Sequence, residues 1–307
     1  MDDGVSVVVI VKNDLAVSTT IDALLAERAR FGAPVELIVV DSSTDARVTG
    51  LSRRYTDSTV WVPFRSEVQP SSRRSTIPQQ RNLGVREAKG GIVVFIDANC
   101  VPCAGWLAYL VGPLLNDAEN MAAGPALGVS AEDQIWTTRR RARSDRGREY
   151  VDDAPTINIA IKKQVFDVVG MFDESFLYGS DIDFTVRAVG KGYRIRFVND
   201  AVVVHDWGSL SAQMRRSWRY AEARVRIYRK HPRTMKKLLG ADFVTLAYPL
   251  FILMSPITIV FPYFPLVLAI PFAKNIRCQP FKTLLMNLWW GVCVLVNAGR
   301  FASGIHK

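Results

Sequence analysis

Residues 78–107 read PQQRNLGVREAKGGIVVFIDANCVPCAGWL, and the order of features in this stretch decides the fold class. A helical stretch near Pro78–Lys89 leads to Ile92–Ile96, an unbroken apolar run that closes on Asp97-Ala98-Asn99. Upstream, Val5–Val11 (VSVVVIV) and Val35–Val40 (VELIVV) are continuous β-branched runs, the mark of strands buried on both faces. Between them Leu15–Arg30 carries apolar residues at helical spacing, as in Ile21, Leu24 and Leu25, and a short run follows at Thr59–Val62. Strand, crossover and strand repeated in this way predict an α/β domain: a parallel sheet with helices on its faces. Ligands of such sheets bind beyond the carboxyl ends of the strands, so the polar residues after each run are the ones to inspect.

Val35–Val40 runs directly into Asp41-Ser42-Ser43. A carboxylate there can accept hydrogen bonds from a base or ribose edge, or it can simply cap the following helix. After Ile96, Asp97 and Asn99 present two oxygen-bearing side chains two residues apart. Together they suit a cation of the Mg²⁺ or Mn²⁺ kind, which prefers oxygen ligands and bridges protein to phosphate; a plain turn is the alternative. Further on, Tyr178-Gly179-Ser180-Asp181-Ile182-Asp183-Phe184 places acids at a loop–helix start, where a carboxylate can act as general base for a hydroxyl. Residues i and i+2 do not share a helix face, so Asp181 and Asp183 should differ in role, Asp183 being a candidate substrate contact that also suits the helix dipole. His205 follows the run Ala201–Val204 and is a metal candidate only beside the Asp97 site.

The 307 residues are 49% hydrophobic with a mean hydropathy of +0.10, high for a purely soluble chain. Phe243–Ala273 and Thr283–Gly299 contain no charged residue. The first stretch would be ~46 Å long as one helix, but Pro249, Pro256, Pro262, Pro265 and Pro271 interrupt it, which predicts a short helical hairpin, crossing or re-entrant, within a membrane segment of two to three short transmembrane helices. Its return brings Lys274, Arg277 and Lys282 to the cytoplasmic side. The second stretch, with Trp289 and Trp290, is expected to be one more span or an interfacial helix. Ten Arg or Lys and one Glu lie between Ser211 and Lys237, within a net charge of +10. With Trp218, Tyr220 and Tyr228 among them, they predict a helix in the headgroup layer, drawn to anionic membrane lipids. The expected division is therefore 1–210, 211–240 and 241–307. A second basic run, Arg139–Arg148, suits either phosphate or open solvent. No motif supports nucleic acid as a partner.

The first eleven residues carry two acids and no basic flank before a short apolar run, the wrong order for a secretory signal, so a cytoplasmic N-terminal part is expected. Four cysteines make no disulfide framework, and the lone pair Cys100 and Cys103 reads as reduced thiols.

Taken in order, VVVIVKND, LIVVDSS, the 78–107 stretch, TINIAIKK, VGMFDESFLYGSDIDFTVRAVGKGYRI and VVVHDWGS resemble glycosyltransferase family 2, with its Rossmann-like GT-A fold, over roughly residues 5–210. That resemblance implies that Asp41 holds the base of a nucleotide-diphosphate sugar donor, assisted by the Arg81-Asn82 region. It implies that Asp97 and Asn99 occupy the D-x-D position that binds ribose–diphosphate and a divalent metal. Asp181 would be the general base of the E-D motif, His205 would complete the metal site, and Asn158 would lie on the sugar or acceptor side. The implied reaction inverts the anomeric centre, with uridine diphosphate as the family's default leaving group. Two departures stand out: Asn99 replaces an aspartate and Ser180 replaces the glutamate beside the base.

The basic stretch before an apolar tail also resembles bacterial exopolysaccharide glycosyltransferases of the succinoglycan type. That implies a lipid-linked, polyprenyl-diphosphate acceptor, or another glycan acceptor, and an inner-membrane enzyme with a cytoplasmic catalytic domain. Asn99 and Ser180 keep a catalytically silent membrane scaffold as the alternative. A nucleotidyltransferase is disfavoured because Lys12-Asn13-Asp14, not a Gly-rich basic loop, follows the first strand.

Overall fold

Unbroken β-branched runs make the centre of the sheet. In the computed structural model, which describes residues 4–65, 77–129, 149–276 and 279–303, β1 (Val5–Val11) lies between β2 (Val35–Asp41) and β4 (Ile92–Asp97), and β3 (Val60–Pro63) flanks β2. All four are parallel, as their spacing predicts. Val7, Val8, Ile38, Val93 and Val94 are wholly buried, so both faces of these strands are covered.

The covering helices follow the apolar periodicity. Helix α1 (Val17–Phe31) buries Val17, Ile21 and Leu24 and ends on Gly32 in the left-handed conformation. Two short turns follow, α2 (Ala46–Thr49) and α3 (Leu51–Arg54). Helix α4 (Ile77–Glu87) approaches β1 closely enough that a Cβ on Gly84 would come within 2.4 Å of Val8 Cγ1. Helix α5 (Trp106–Leu115) buries one face through Trp106, Leu107, Leu110 and Leu114. Buried Glu27 of α1 accepts hydrogen bonds from Gly105 and Leu107 backbone amides at its start, a carboxylate where the helix dipole favours one.

The sheet is not parallel throughout. Beyond β4 come β9 (Asn158–Lys162), β6 (Met121–Ala123), β10 (Ile195–Phe197) and β8 (Tyr150–Val151), completing an eight-stranded sheet. Strand β9 is antiparallel to both β4 and β6. A second sheet of three strands orders β5 (Cys100–Pro102), β11 (Val203–His205) and β7 (Ala126–Gly128). Helices α6 (Lys163–Val169) and α7 (Ser180–Gly190) supply Phe166 and Phe184, which pack with Phe172 and Phe95 in one aromatic cluster.

These elements form one compact unit that ends at Asp206, four residues before the expected boundary. Described residues from Trp207 onward form another. Its basic helix α8 (Leu210–Lys230) is capped by the Ser209 hydroxyl, which accepts from the Ala212 amide. After it come a 3₁₀ helix (Pro232–Leu239), α9 (Val244–Met254), two further 3₁₀ turns (Ser255–Ile259 and Phe264–Leu268), α10 (Ala269–Lys274) and α11 (Pro280–Ala302). Among the described residues, α11 is the one helix long and apolar enough by itself to cross a membrane. The run Val244–Ile259 is bent by 73° from the preceding 3₁₀ helix. The Arg139–Arg148 run, Arg277 and His306 lie outside the described residues.

Candidate active site

Strand register brings the first two predicted acids together. Asp41 is paired with Val11 and Asp97 with Ile10, so the two residues flank the last residues of β1, their backbones about 10 Å apart across two strand spacings. This is the carboxyl end of the parallel strands, where ligands bind in such sheets.

Asp41 is buried, and both carboxylate oxygens are held: one accepts from the Ser43 amide at 2.8 Å, the other from Trp61 Nε1 at 3.1 Å. The loop beyond it is tied to the loop after β1 by Asn13. Its side-chain oxygen accepts from the Thr44 and Asp45 amides, and its amide donates to the Thr44 hydroxyl. Asn13 makes these contacts in the left-handed backbone conformation, φ 53°, which asparagine tolerates better than most residues. Neither Trp61 nor Asn13 drew attention in the sequence, because each acts through a neighbour distant along the chain.

Asp97 closes β4, and the turn after it is braced by Thr20, whose hydroxyl donates to the Ala98 carbonyl at 2.8 Å. Burial pushes the Asp97 carboxyl above its usual range; the charge of Arg81 pulls it back down and that of Asp181 raises it again. A bound cation would favour the ionised form that burial opposes. His205 in β11 is buried and pairs across from Cys100 in β5, next to Asn99. Among the described residues no three His, Cys, Asp or Glu side chains converge to form a complete metal cage. A carboxylate, an amide oxygen and an imidazole fit the partial shell that Mg²⁺ or Mn²⁺ uses when phosphates supply the rest.

Arg81 is buried beside Asp181. Its Nη1 donates to the Ser180 hydroxyl at 3.1 Å, its Nη2 lies 3.7 Å from Asp181 Oδ2, and the guanidinium packs 5.8 Å from the Phe172 ring centroid. Asn82 donates to the Phe172 carbonyl and to Glu174 and accepts from the Phe172 amide, fixing the loop before α7. Asp181, at the start of α7, is held at Oδ2 by the Thr156 amide and hydroxyl, at 3.3 and 3.4 Å, and at Oδ1 by the Ile182 amide. Thr156 carries no motif of its own; only the fold brings it to this carboxylate.

The two predicted substrate residues lie inside the fold. Asn158 is 1% exposed; it donates to the Pro125 and Ala201 carbonyls and accepts from Trp106 Nε1, so its amide is engaged by interior partners. Asp183 is wholly buried and pairs with Arg187 one turn along α7 at 2.9 Å. It points away from Asp181, as the i, i+2 spacing requires. Cys100 and Cys103 are free thiols, and burial pushes both up from their usual range, the wrong direction for a nucleophile.

The profile of the family described as Glycosyl transferase family 2 matches residues 6–173, which include Asp41, Arg81 and Asp97 but not Asp181 or His205. Glycosyltransferase AglE of Haloferax volcanii is 23% identical over 199 residues, covering 63% of this chain and 64% of the relative. The pre-mycofactocin glycosyltransferase of Mycobacterium tuberculosis is 28% identical over 137 residues, 41% of this chain and 29% of its own length. The chain thus spans less than two thirds of these curated relatives. Among solved structures, the mannosyltransferase PcManGT of Pyrobaculum calidifontis, in complex with GDP-Man and Mn²⁺, superposes with a TM-score of 0.67 at 20% identity. It covers 96% of this chain and 86% of its own. At that identity the likeness establishes the fold.

Proposed function

Because this chain belongs to glycosyltransferase family 2, we propose that it is an inverting glycosyltransferase that moves a sugar from a nucleotide-diphosphate donor to a membrane-associated acceptor. The observation that carries the proposal is the pairing of Asp41 and Asp97 on either side of β1, with the Arg81–Asp181 pair beside them. Asp41, oriented by Trp61 and Ser43, would receive the nucleoside. Neighbour PcManGT holds GDP-Man and Mn²⁺, which supports a nucleotide sugar and a divalent cation here.

In the proposed reaction Asp181 takes the proton of an acceptor hydroxyl as that oxygen attacks C1 of the sugar. The C1–oxygen bond to the diphosphate breaks on the opposite face, its electron pair leaving with the diphosphate, and the anomeric centre inverts. Thr156 and the Ile182 amide hold Asp181 in place for this step. Arg81 sets a fixed positive charge near the departing group, where preorganised charge is most effective. Asp97, Asn99 and His205 are the residues that would hold Mg²⁺ or Mn²⁺, which when bound supplies further positive charge against the diphosphate.

The apolar and basic character of the C-terminal unit favours a lipid-linked acceptor, of the polyprenyl-diphosphate kind, and attachment to the inner membrane with the catalytic unit in the cytoplasm. The test is transfer or hydrolysis by detergent-purified protein over a panel of nucleotide sugars, with Mg²⁺ or Mn²⁺ and native lipid extract. Release of one nucleoside diphosphate, lost in Asp181→Asn and in excess chelator, is the expected result. Silence across the panel, with no nucleotide binding by calorimetry, would refute the reading.

A further inference from the structure

Helix α11, long and apolar enough to cross a membrane, packs along the basic helix α8. From Trp289 to Phe301, α11 lies along basic helix α8. Trp289 Nε1 donates to the Met214 carbonyl at 2.9 Å, Asn297 donates to the Trp218 carbonyl, and Arg229 packs over the Phe301 ring. Ala221 of α8 and Cys293 and Val294 of α11 share one small buried core. Helix α8 carries seven Arg or Lys in its 21 residues. Charged side chains at the bilayer centre are costly and must be paired or face water, and Arg215, Arg219, Arg229 and Lys230 are exposed. Sinking α11 across the bilayer would take this row of charges with it. The part of α11 clear of α8, residues 280–288, is only ~14 Å long at helical rise.

The apolar surface lies elsewhere in the same unit. Helix α9 is tied to α11 through Trp290 Nε1 and the Thr245 hydroxyl at 3.0 Å, and through Gly291, where a Cβ would meet the Tyr248 backbone at 3.0 Å. Beyond Met254 the chain leaves that packing, and almost every residue to Ile270 is exposed. Ile259 and Val260, at the far end, are 86% and 87% exposed. Phe264 then stacks on Phe251 at 5.2 Å, so the chain turns back on itself. Leu253–Val260 spans about 14 Å at helical and 3₁₀ rise, half of a hydrocarbon core ~30 Å thick. The chain thus turns back on itself within a short distance.

From these relationships we infer that the C-terminal unit attaches to one face of a lipid bilayer: the 253–270 hairpin dips into a single leaflet, α8 and the basic 3₁₀ helix meet anionic headgroups, and α11 lies outside the hydrocarbon. The occupant of the apolar surface is lipid, chosen over a protein partner because an uncharged tip adjoins a locally basic segment, the pattern of an interfacial anchor. This rests on the membrane attachment proposed above but not on the sugar chemistry. The full chain, tagged at both termini, is expressed in a bacterium, and sealed inside-out membrane vesicles are treated with protease. Both tags should disappear together; a protected C-terminal tag would overturn one-sided attachment. In flotation with phosphatidylcholine–phosphatidylglycerol vesicles at high salt, Ile259→Asp/Val260→Asp should lower the bound fraction more than about tenfold, with nucleotide binding unchanged as a check on folding. Equal retention of the variant would remove the hairpin from the anchor. A wild-type chain that floats with no vesicle would refute the membrane attachment itself, whatever its transferase activity.

Discussion

The guanidinium of Arg81 stands 3.7 Å from the carboxylate of Asp181. These residues are a hundred positions apart in the chain, and helices α4 and α7 bring them together in a largely buried site. Arg81 also donates to Ser180, the position where the family resemblance leads one to expect a glutamate. A neutral hydroxyl there leaves the charge of Arg81 directed to Asp181 and Asp97 instead of being neutralised by a third acid.

Arg81→Gln should therefore lower kcat/KM by about 10²–10³-fold, the usual cost of removing a preorganised group that stabilises transition-state charge. Arg81→Lys should recover only part of this, since an ammonium lacks the planar fork that reaches Ser180 and Asp181 together. Steady-state kinetics with the identified donor would decide it. Wild-type rates in Arg81→Gln would remove Arg81 from the reaction.

Asp181→Asn should reduce turnover by about 10²–10⁴-fold while leaving donor affinity nearly intact, as for loss of a general base. Thr156→Val should cost less, about tenfold or under, because it deletes one hydrogen bond to Asp181 and keeps the backbone one. Thr156→Ser should restore the rate. A Thr156→Val variant that raises KM with kcat unchanged would show that Thr156 serves substrate binding and not the base.

Half-buried Asp97 should make stability depend on pH. Its folded-state pKa is raised, chiefly by burial. The native state therefore binds the proton more readily than the unfolded chain, and stability is lost as pH rises through the folded pKa. Without divalent cation, Asp97→Asn should melt higher than wild type at neutral pH, by about 2–4 °C for each kcal/mol recovered. That advantage should vanish below the ordinary aspartate pKa. Mn²⁺ should raise the wild-type Tm and leave the variant unmoved. Calorimetry across pH would test both, and a variant less stable than wild type at neutral pH would contradict the assignment.

Asn158→Leu should destabilise the catalytic unit by several kcal/mol, since it strands Trp106 Nε1 and two carbonyls in the interior. Each buried polar group left unpaired costs ~1–3 kcal/mol. The folded fraction should still bind nucleotide with near wild-type affinity. A stable variant with lost affinity would return Asn158 to the substrate side.

Much of this architecture is legible in local sequence. Strands β1, β2 and β4 announce themselves as apolar runs because they are buried on both faces, and Asp41 and Asp97 stand out as the first polar residues after them. What the sequence hides depends on distance along the chain. The antiparallel entry of β9 between β4 and β6 is a matter of pairing across the sheet, which no periodicity signals. Asn158 looks like a binding residue because an amide in an apolar strand is unusual; only the fold reveals its three interior partners. Thr156 and Trp61 are unremarkable until their carboxylates arrive. The long apolar run of α11 has the composition of a span, and its contacts with α8 become visible only in the fold.

Gly84 follows Arg81 by three residues, nearly one turn along α4, and the space a methyl group would need there is already taken by Val8. The distance between helix and sheet is thus set by an atom the residue lacks, and with it the height at which Arg81 meets Asp181. Mutational tolerance in this chain should therefore not fall off smoothly with distance from the proposed site. A single added carbon at Gly84 would act as a wedge under the active site, whereas many bulkier changes on the exposed side of the same helix, at Arg86 or Glu87, would pass unnoticed. Libraries meant to alter donor choice would do best to hold Gly84 and Val8 fixed together and to vary the loops around Asn13 and Trp61.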